Sequence, residues 1–203
     1  GEDNGMCIGG VFGGIKSGVK DSTTAIFLES AYFDPAYIRR TAQKHGLKTD
    51  ASFRFERGID PNGTLYALKR AAELIKDIAG GVVSSEVIDL YPEPFKDFEV
   101  KVKYAHVNRL IGKELTKEEI TKILNNLDIQ VTQQTETDFV AIVPPYRVDV
   151  TREADVIEEI LRIYGYNNIE IGEFLGAESL ANFPAVDSNK LQLNITQTLA
   201  ANG

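Results

Sequence analysis

Cysteine occurs once, as Cys7, so no disulfide can form within the chain, and His45 and His106 are too few for a Cys/His zinc cluster. Any bound metal must therefore be held by oxygen. Long apolar runs are missing as well: none approaches the roughly 20 residues of a membrane span. The opening GEDNGMCIGG lacks the basic-then-apolar order of a secretory signal. The expectation is a soluble, cytoplasmic protein with no membrane contact. Positive charge is scarce: 22 Lys and Arg stand against 30 Asp and Glu, a net −8. That balance argues against a sequence-independent nucleic-acid binder, whose affinity comes largely from neutralising phosphates.

What is present is 43% hydrophobic over 203 residues, enough for two ordinary cores of about 100 residues each. Charge is uneven. Arg39, Arg40, Lys44, Lys48, Arg54 and Arg57 face only Asp50 and Glu56, a local +4 in an acidic chain. Alone, this stretch reads equally as a solvated helix face plus loop.

The apolar run from Ala25 ends on Glu29 and predicts a buried strand over 25–29. Asp34 followed by Pro35 predicts a helix start, and His45-Gly46 its end. A second helix is expected over 64–79, with Leu65, Leu68, Ala72, Ile75 and Ala79 on one face and Gly80-Gly81 as its stop. A strand follows over 83–90. The prolines of YPEPF mark a boundary near 91–95, and Phe98, Val100, Val102 and Tyr104 then alternate with charged residues like a half-buried strand.

Beyond it, a short helix through Val107, Leu110 and Ile111 stops at Gly112, and Thr116 with Glu119 forms a capping box. The capped helix buries Ile120, Ile123, Leu124 and Leu127. Two strands are expected near 129–132 and 139–143, then a last helix over 153–164 ended by Gly165. After Ile171 periodicity fades; 171–188 reads as a linker, and LQLNITQTLAANG as the opening turns of a further element. The fold class is α+β: two small mixed modules, the second a helix-plus-hairpin domain of winged-helix-like character.

Three features carry chemistry. Asp155, Glu158 and Glu159 are related by i, i+3 and i+4, so three carboxylates share one helix face, and Asp149 can fold back onto it. Crowded like charges make a cation or a basic partner attractive, and an oxygen-only set fits Mg²⁺. A solvated acidic face near a helix N-terminus is the alternative. Glu29 closing an apolar strand is costly to bury unless something, a phenol hydroxyl for example, hydrogen-bonds to it. Gly9, Gly10, Gly13 and Gly14 permit close backbone approach to a ligand, but their spacing matches no nucleotide-binding loop and a tight turn is equally open. Thr49, Ala51 and Ser52 could be plain loop residues. No Ser/His/Asp or Cys/His constellation can be assigned, and neither Cys7 nor His45 has a visible activating partner.

Taken together, the strings GGVFGG, FLESAYFDP, RRTAQKHGLKTDASFRFERGIDP and PPYRVDVTREADVIEEILRIYGYNNI resemble, in order and spacing, the beta chains of bacterial phenylalanine tRNA synthetases. The likeness runs from about residue 5 to 170. It implies that 1–92 is the latter half of a tRNA-editing module, 93–169 the following fifth module, which binds metal and contacts the other subunit, and 170–203 the lead into a catalytic-like core domain. In the family the editing module hydrolyses tyrosine wrongly esterified to the phenylalanine tRNA. The resemblance places Glu29, Thr49 and Ala51 in its amino-acid pocket, with the backbone of Gly10, Gly13 and Gly14 against the substrate. Glu29 would read the phenol hydroxyl, since a buried polar group left unpaired by phenylalanine discriminates by about 10⁴ or more.

The same resemblance turns Arg39, Arg40, Lys44, Lys48, Arg54 and Arg57 into a surface for the tRNA acceptor end. It puts Mg²⁺, shared with an alpha chain in an alpha2/beta2 assembly, on Asp149, Asp155, Glu158 and Glu159. ATP serves the complete enzyme and is not expected to bind this stretch. The departure from the family is one of extent: the upstream half of the editing module, the core and the anticodon-recognising module are not in the sequence, so neither aminoacylation nor independent editing is expected. Two other readings stay open. One is a spacer that docks the alpha chain; the other is a winged-helix nucleic-acid module, weighed against by a net −3 over 94–168.

Overall fold

Local signals start most of the helices. In the computed structural model, which describes residues 5–170 and 187–203, Asp34 Oδ1 accepts the N–H groups of Ala36 (2.8 Å) and Tyr37 (3.1 Å) and opens α1 (Pro35–His45). Gly46, at φ 63°, closes it in the left-handed conformation that glycine tolerates. α3 (Thr64–Ala79) likewise ends at Gly80. Between them lies a helix that the sequence pattern did not reveal, α2 (Asp50–Phe55), capped by Thr49 and Ser52 reciprocally. Six residues are too few to show a helical period.

The alternating segment forms β1 (Phe98–Lys103), but Tyr104 already begins α4 (Tyr104–Ile111) instead of ending the strand. The Thr116–Glu119 capping box opens α5 (Lys117–Asn125), then come β2 (Gln130–Thr132), β3 (Asp138–Val143) and α6 (Glu153–Tyr164). The three strands form one antiparallel sheet in the order β1-β3-β2. Val100 opposite Ala141 and Val102 opposite Phe139 set one buried face. Onto this face pack Val107, Ile120, Leu124, Val156 and Ile160 from α4, α5 and α6, all essentially without solvent contact. Each such side chain contributes about 1.5–3 kcal/mol on removal from water. Helices preceding a two-stranded hairpin give this module its winged-helix-like order.

The first module has a much smaller core. Val11, Ile38 and Ala42 are buried, with Ile8, Phe33, Leu47 and Phe55 packed around them. Gly10 takes φ +68° there, and a Cβ on it would lie 2.6 Å from Ile38 Cδ1. Gly58 (φ +87°) abuts the second module, where an added Cβ would stand 2.7 Å from Val148 Cγ1.

Two expected strands do not form. Residues 25–29 and 83–90 have no ladder partner among the described residues. A strand exists only through pairing, so an apolar run cannot make one alone. None of the residues of α3 is buried, and Leu68, Ala72 and Ile75 line a groove of about 240 Å³ with 26–28 and 82–88.

The chain divides into two compact units, Gly1–Tyr166 and Asn167–Gly203, so both modules lie within the first. The second unit contains α7 (Ser188–Ala201), capped by Asp187, where further turns were expected. The linker predicted over 171–188 falls mostly outside the described residues, through 186.

Candidate editing pocket and acidic helix

The short turn closed by the Ile8–Phe12 bridge contains Gly9, Gly10 and Val11, and Gly13 and Gly14 follow it directly. Thr49, 38 residues further on, reaches this turn: its Oγ1 donates to the Val11 carbonyl at 2.6 Å and accepts the Ser52 N–H at 3.0 Å. Ser52 Oγ accepts the Thr49 N–H at 3.0 Å and donates to the Thr49 carbonyl. One hydroxyl thus caps α2 and pins α2 to the glycine turn. The Thr49 hydroxyl is committed to the fold.

Gly14 approaches the Met6 carbonyl so closely that a Cβ there would collide with it, whereas Gly13 faces open space. Ala51 is exposed on the first turn of α2. Glu29 is exposed as well, in a segment with no strand, so the burial expected of it is absent here; among the described residues it makes no hydrogen bond to the glycine turn or to Thr49. The structure therefore brings Thr49 onto the turn that contains Gly10, through the Val11 carbonyl, and shows no hydrogen bond from Glu29 to either among the described residues. Ser52, 3% exposed, is the residue that the sequence undervalued. The capping pattern of Thr49 three residues before Ser52 was its available signal.

The residues of the basic stretch differ in their local partners. Arg39 donates to the Glu56 carbonyl at 3.2 Å, tying α1 to the end of α2. Arg40 lies over the Tyr37 ring, and Arg57 over the Phe53 ring at 3.6 Å while donating to the Phe53 carbonyl and to Glu56. Lys44, Lys48 and Arg54 are exposed, and their side chains make no hydrogen bond among the described residues.

α6 runs over 153–164 as the sequence predicted, but its carboxylates point to separate partners. Asp155 reaches back to the N–H groups of Thr151 (3.2 Å) and Arg152 (2.8 Å) and pairs with the Arg152 guanidinium at 2.8 Å. That guanidinium, with the two N–H bonds, outweighs burial and holds its pKa below the usual carboxylate range. Glu159 pairs with Arg162 at 2.6 Å and Arg147 at 3.1 Å, and Arg162 foremost holds it low against burial. Burial pushes Glu153 up, but a 2.9 Å contact with His106 Nδ1 and the Lys103 N–H at 2.8 Å together bring it below its ordinary value. Asp149 and Glu158 are exposed. Among the described residues, no three His, Cys, Asp or Glu side chains converge to hold a metal. Of the four residues expected to bind Mg²⁺, Asp155 and Glu159 pair with arginines, and Asp149 and Glu158 are exposed.

Family models match two stretches of the chain: the B3/4 domain over residues 1–80 and the tRNA synthetase B5 domain over 100–166. Phenylalanine--tRNA ligase beta subunits are similar throughout. That of Bacteroides fragilis is 50% identical over 202 residues, covering 100% of this chain and 25% of the relative. That of Porphyromonas gingivalis is 46% identical over 98% of this chain and 24% of its own length, and that of Protochlamydia amoebophila 42% identical over 81% and 20%. Through both domain models and over its whole length, the chain is thus similar to phenylalanine--tRNA ligase beta subunits, of whose length it spans about a quarter.

Proposed function

We propose that this chain is the part of an aminoacyl-tRNA synthetase beta subunit that contributes to hydrolytic removal of tyrosine from the phenylalanine tRNA and docks the alpha chain. The complete alpha2/beta2 enzyme performs ATP-dependent phenylalanylation in the cytoplasm. The 2.6 Å bond from Thr49 to the Val11 carbonyl supports the reading best. It holds two distant segments, both assigned to the amino-acid pocket by resemblance, against each other. Residues 1–92 would be the editing part, 93–169 the docking module and 170–203 the approach to the core. Lys44, Lys48 and Arg54, with their charges uncommitted, are the basic residues best suited to meet tRNA phosphates.

Specificity rests on Glu29, whose carboxylate would accept the phenol hydroxyl once the full-length subunit encloses it. In the complete two-chain enzyme, Glu29→Ala should leave phenylalanine charging intact and weaken discrimination between tyrosyl and phenylalanyl esters. Equal selectivity in wild type and variant would remove Glu29 from the pocket. The spacer reading draws on the second module, whose core is complete while its surface is acidic and shows no basic recognition helix. If the wild-type enzyme fails to deacylate tyrosyl-tRNA, docking alone remains.

A further inference from the structure

α6 carries Glu153, Asp155, Glu158 and Glu159 within seven residues, starting four residues after Asp149. Such crowding calls for countercharge, and the structure shows where it comes from. Arg152 closes on Asp155 at 2.8 Å. Arg147 and Arg162 clamp Glu159 from two sides, at 3.1 and 2.6 Å. Arg147 does more than pair. Its side chain is only 18% exposed, and its Nε donates to the Leu127 carbonyl at 2.8 Å while its other arm reaches Glu159. One planar guanidinium thus joins the turn after α5 to the middle of α6, a geometry that lysine cannot reproduce. Magnesium needs near-octahedral oxygen donors at about 2.0–2.1 Å, and among the described residues no three His, Cys, Asp or Glu side chains come together to supply them.

We infer that this module supplies countercharge to α6 from its own arginines: Arg152 pairs with Asp155, Arg147 and Arg162 pair with Glu159, Arg147 is the positioning residue, and folding of the 100–166 module does not depend on a divalent cation. The inference rests on the geometry of α6 and stands whether or not the first module edits.

The test uses the whole 203-residue chain. Circular dichroism gives the melting midpoint, and amide exchange read by mass spectrometry reports on α6, each in EDTA and in about 10 mM MgCl₂. The two conditions should agree within about 1 °C and show the same α6 protection, whereas a site of sub-millimolar affinity would raise the midpoint by several degrees. Arg147→Met should lower the midpoint by about 5 °C and speed exchange in α6. Arg147→Lys should recover only part of that loss. Combined with Glu159→Gln, Arg147→Met should cost less than the sum of the two single changes. Stabilisation by MgCl₂, collapse of α6 protection in EDTA, or strict additivity would each overturn the inference. Should Arg147→Met fail to fold, the wild-type comparison of EDTA with MgCl₂ still decides it.

Discussion

Replacing Thr49 by valine keeps the shape of the side chain and removes only its hydroxyl. Two interactions are lost together. The Ser52 N–H loses its cap acceptor, worth about 1 kcal/mol in comparable helices. The carbonyl of Val11, a residue 2% exposed, loses the 2.6 Å donor that satisfies it, and leaving a buried acceptor unpaired costs about 1–3 kcal/mol. The two should sum to roughly 2–4 kcal/mol, because Thr49→Val takes away one partner of each bond and offers no replacement. The loss should fall on the first module. Amide exchange should quicken at Ser52 and Phe53 and in the glycine turn, while β3 and α6 keep their protection. Thr49→Ser retains the hydroxyl and should cost well under half as much. A Thr49→Val protein with wild-type exchange around Val11 and Ser52 would show that this hydroxyl does not pin α2 to the turn.

Two further outcomes follow from neighbouring features. Gly10→Ala meets both a φ of +68° and Ile38 Cδ1 at 2.6 Å, whereas Gly46→Ala meets φ +63° in open space; thermal melts should show about 1 kcal/mol lost at Gly46 and clearly more at Gly10. Asp155 and Glu159 have native pKa values below their ordinary ones, so between the native and unfolded values the unfolded chain binds more protons. Their stabilisation is therefore complete above about pH 4–5 and disappears as pH falls through the native values. Melting midpoints taken downward from pH 7 should fall in that acid range, and Glu159→Gln should start lower and fall less steeply. A parallel profile would assign the acid loss to other groups.

Sequence by itself determined the elements whose causes are local. Asp34-Pro35, the Thr116–Glu119 box and the glycines at 46, 80, 112 and 165 act within one helical turn, and the ends of α1, α3 and α6 lie where those residues put them. Alternation over 98–103 likewise exposed β1, since period two is written in the strand itself. Composition excluded disulfide and zinc frameworks, and the order of motifs alone carries the resemblance to the family. Tertiary structure alone decided whatever needs a distant partner. The apolar runs at 25–29 and 83–90 look like strands but have no described neighbour to pair with, which leaves Glu29 in solvent. Spacing put Asp155, Glu158 and Glu159 on one helix face, yet spacing cannot say which cations arrive from elsewhere. Here Arg147 comes from the turns between β3 and α6 and Arg152 from the edge of α6, and they form ion pairs with Glu159 and Asp155. Thr49 shows the same division: its capping role is local and legible, but its grip on Val11 spans 38 residues and exists only in the folded chain.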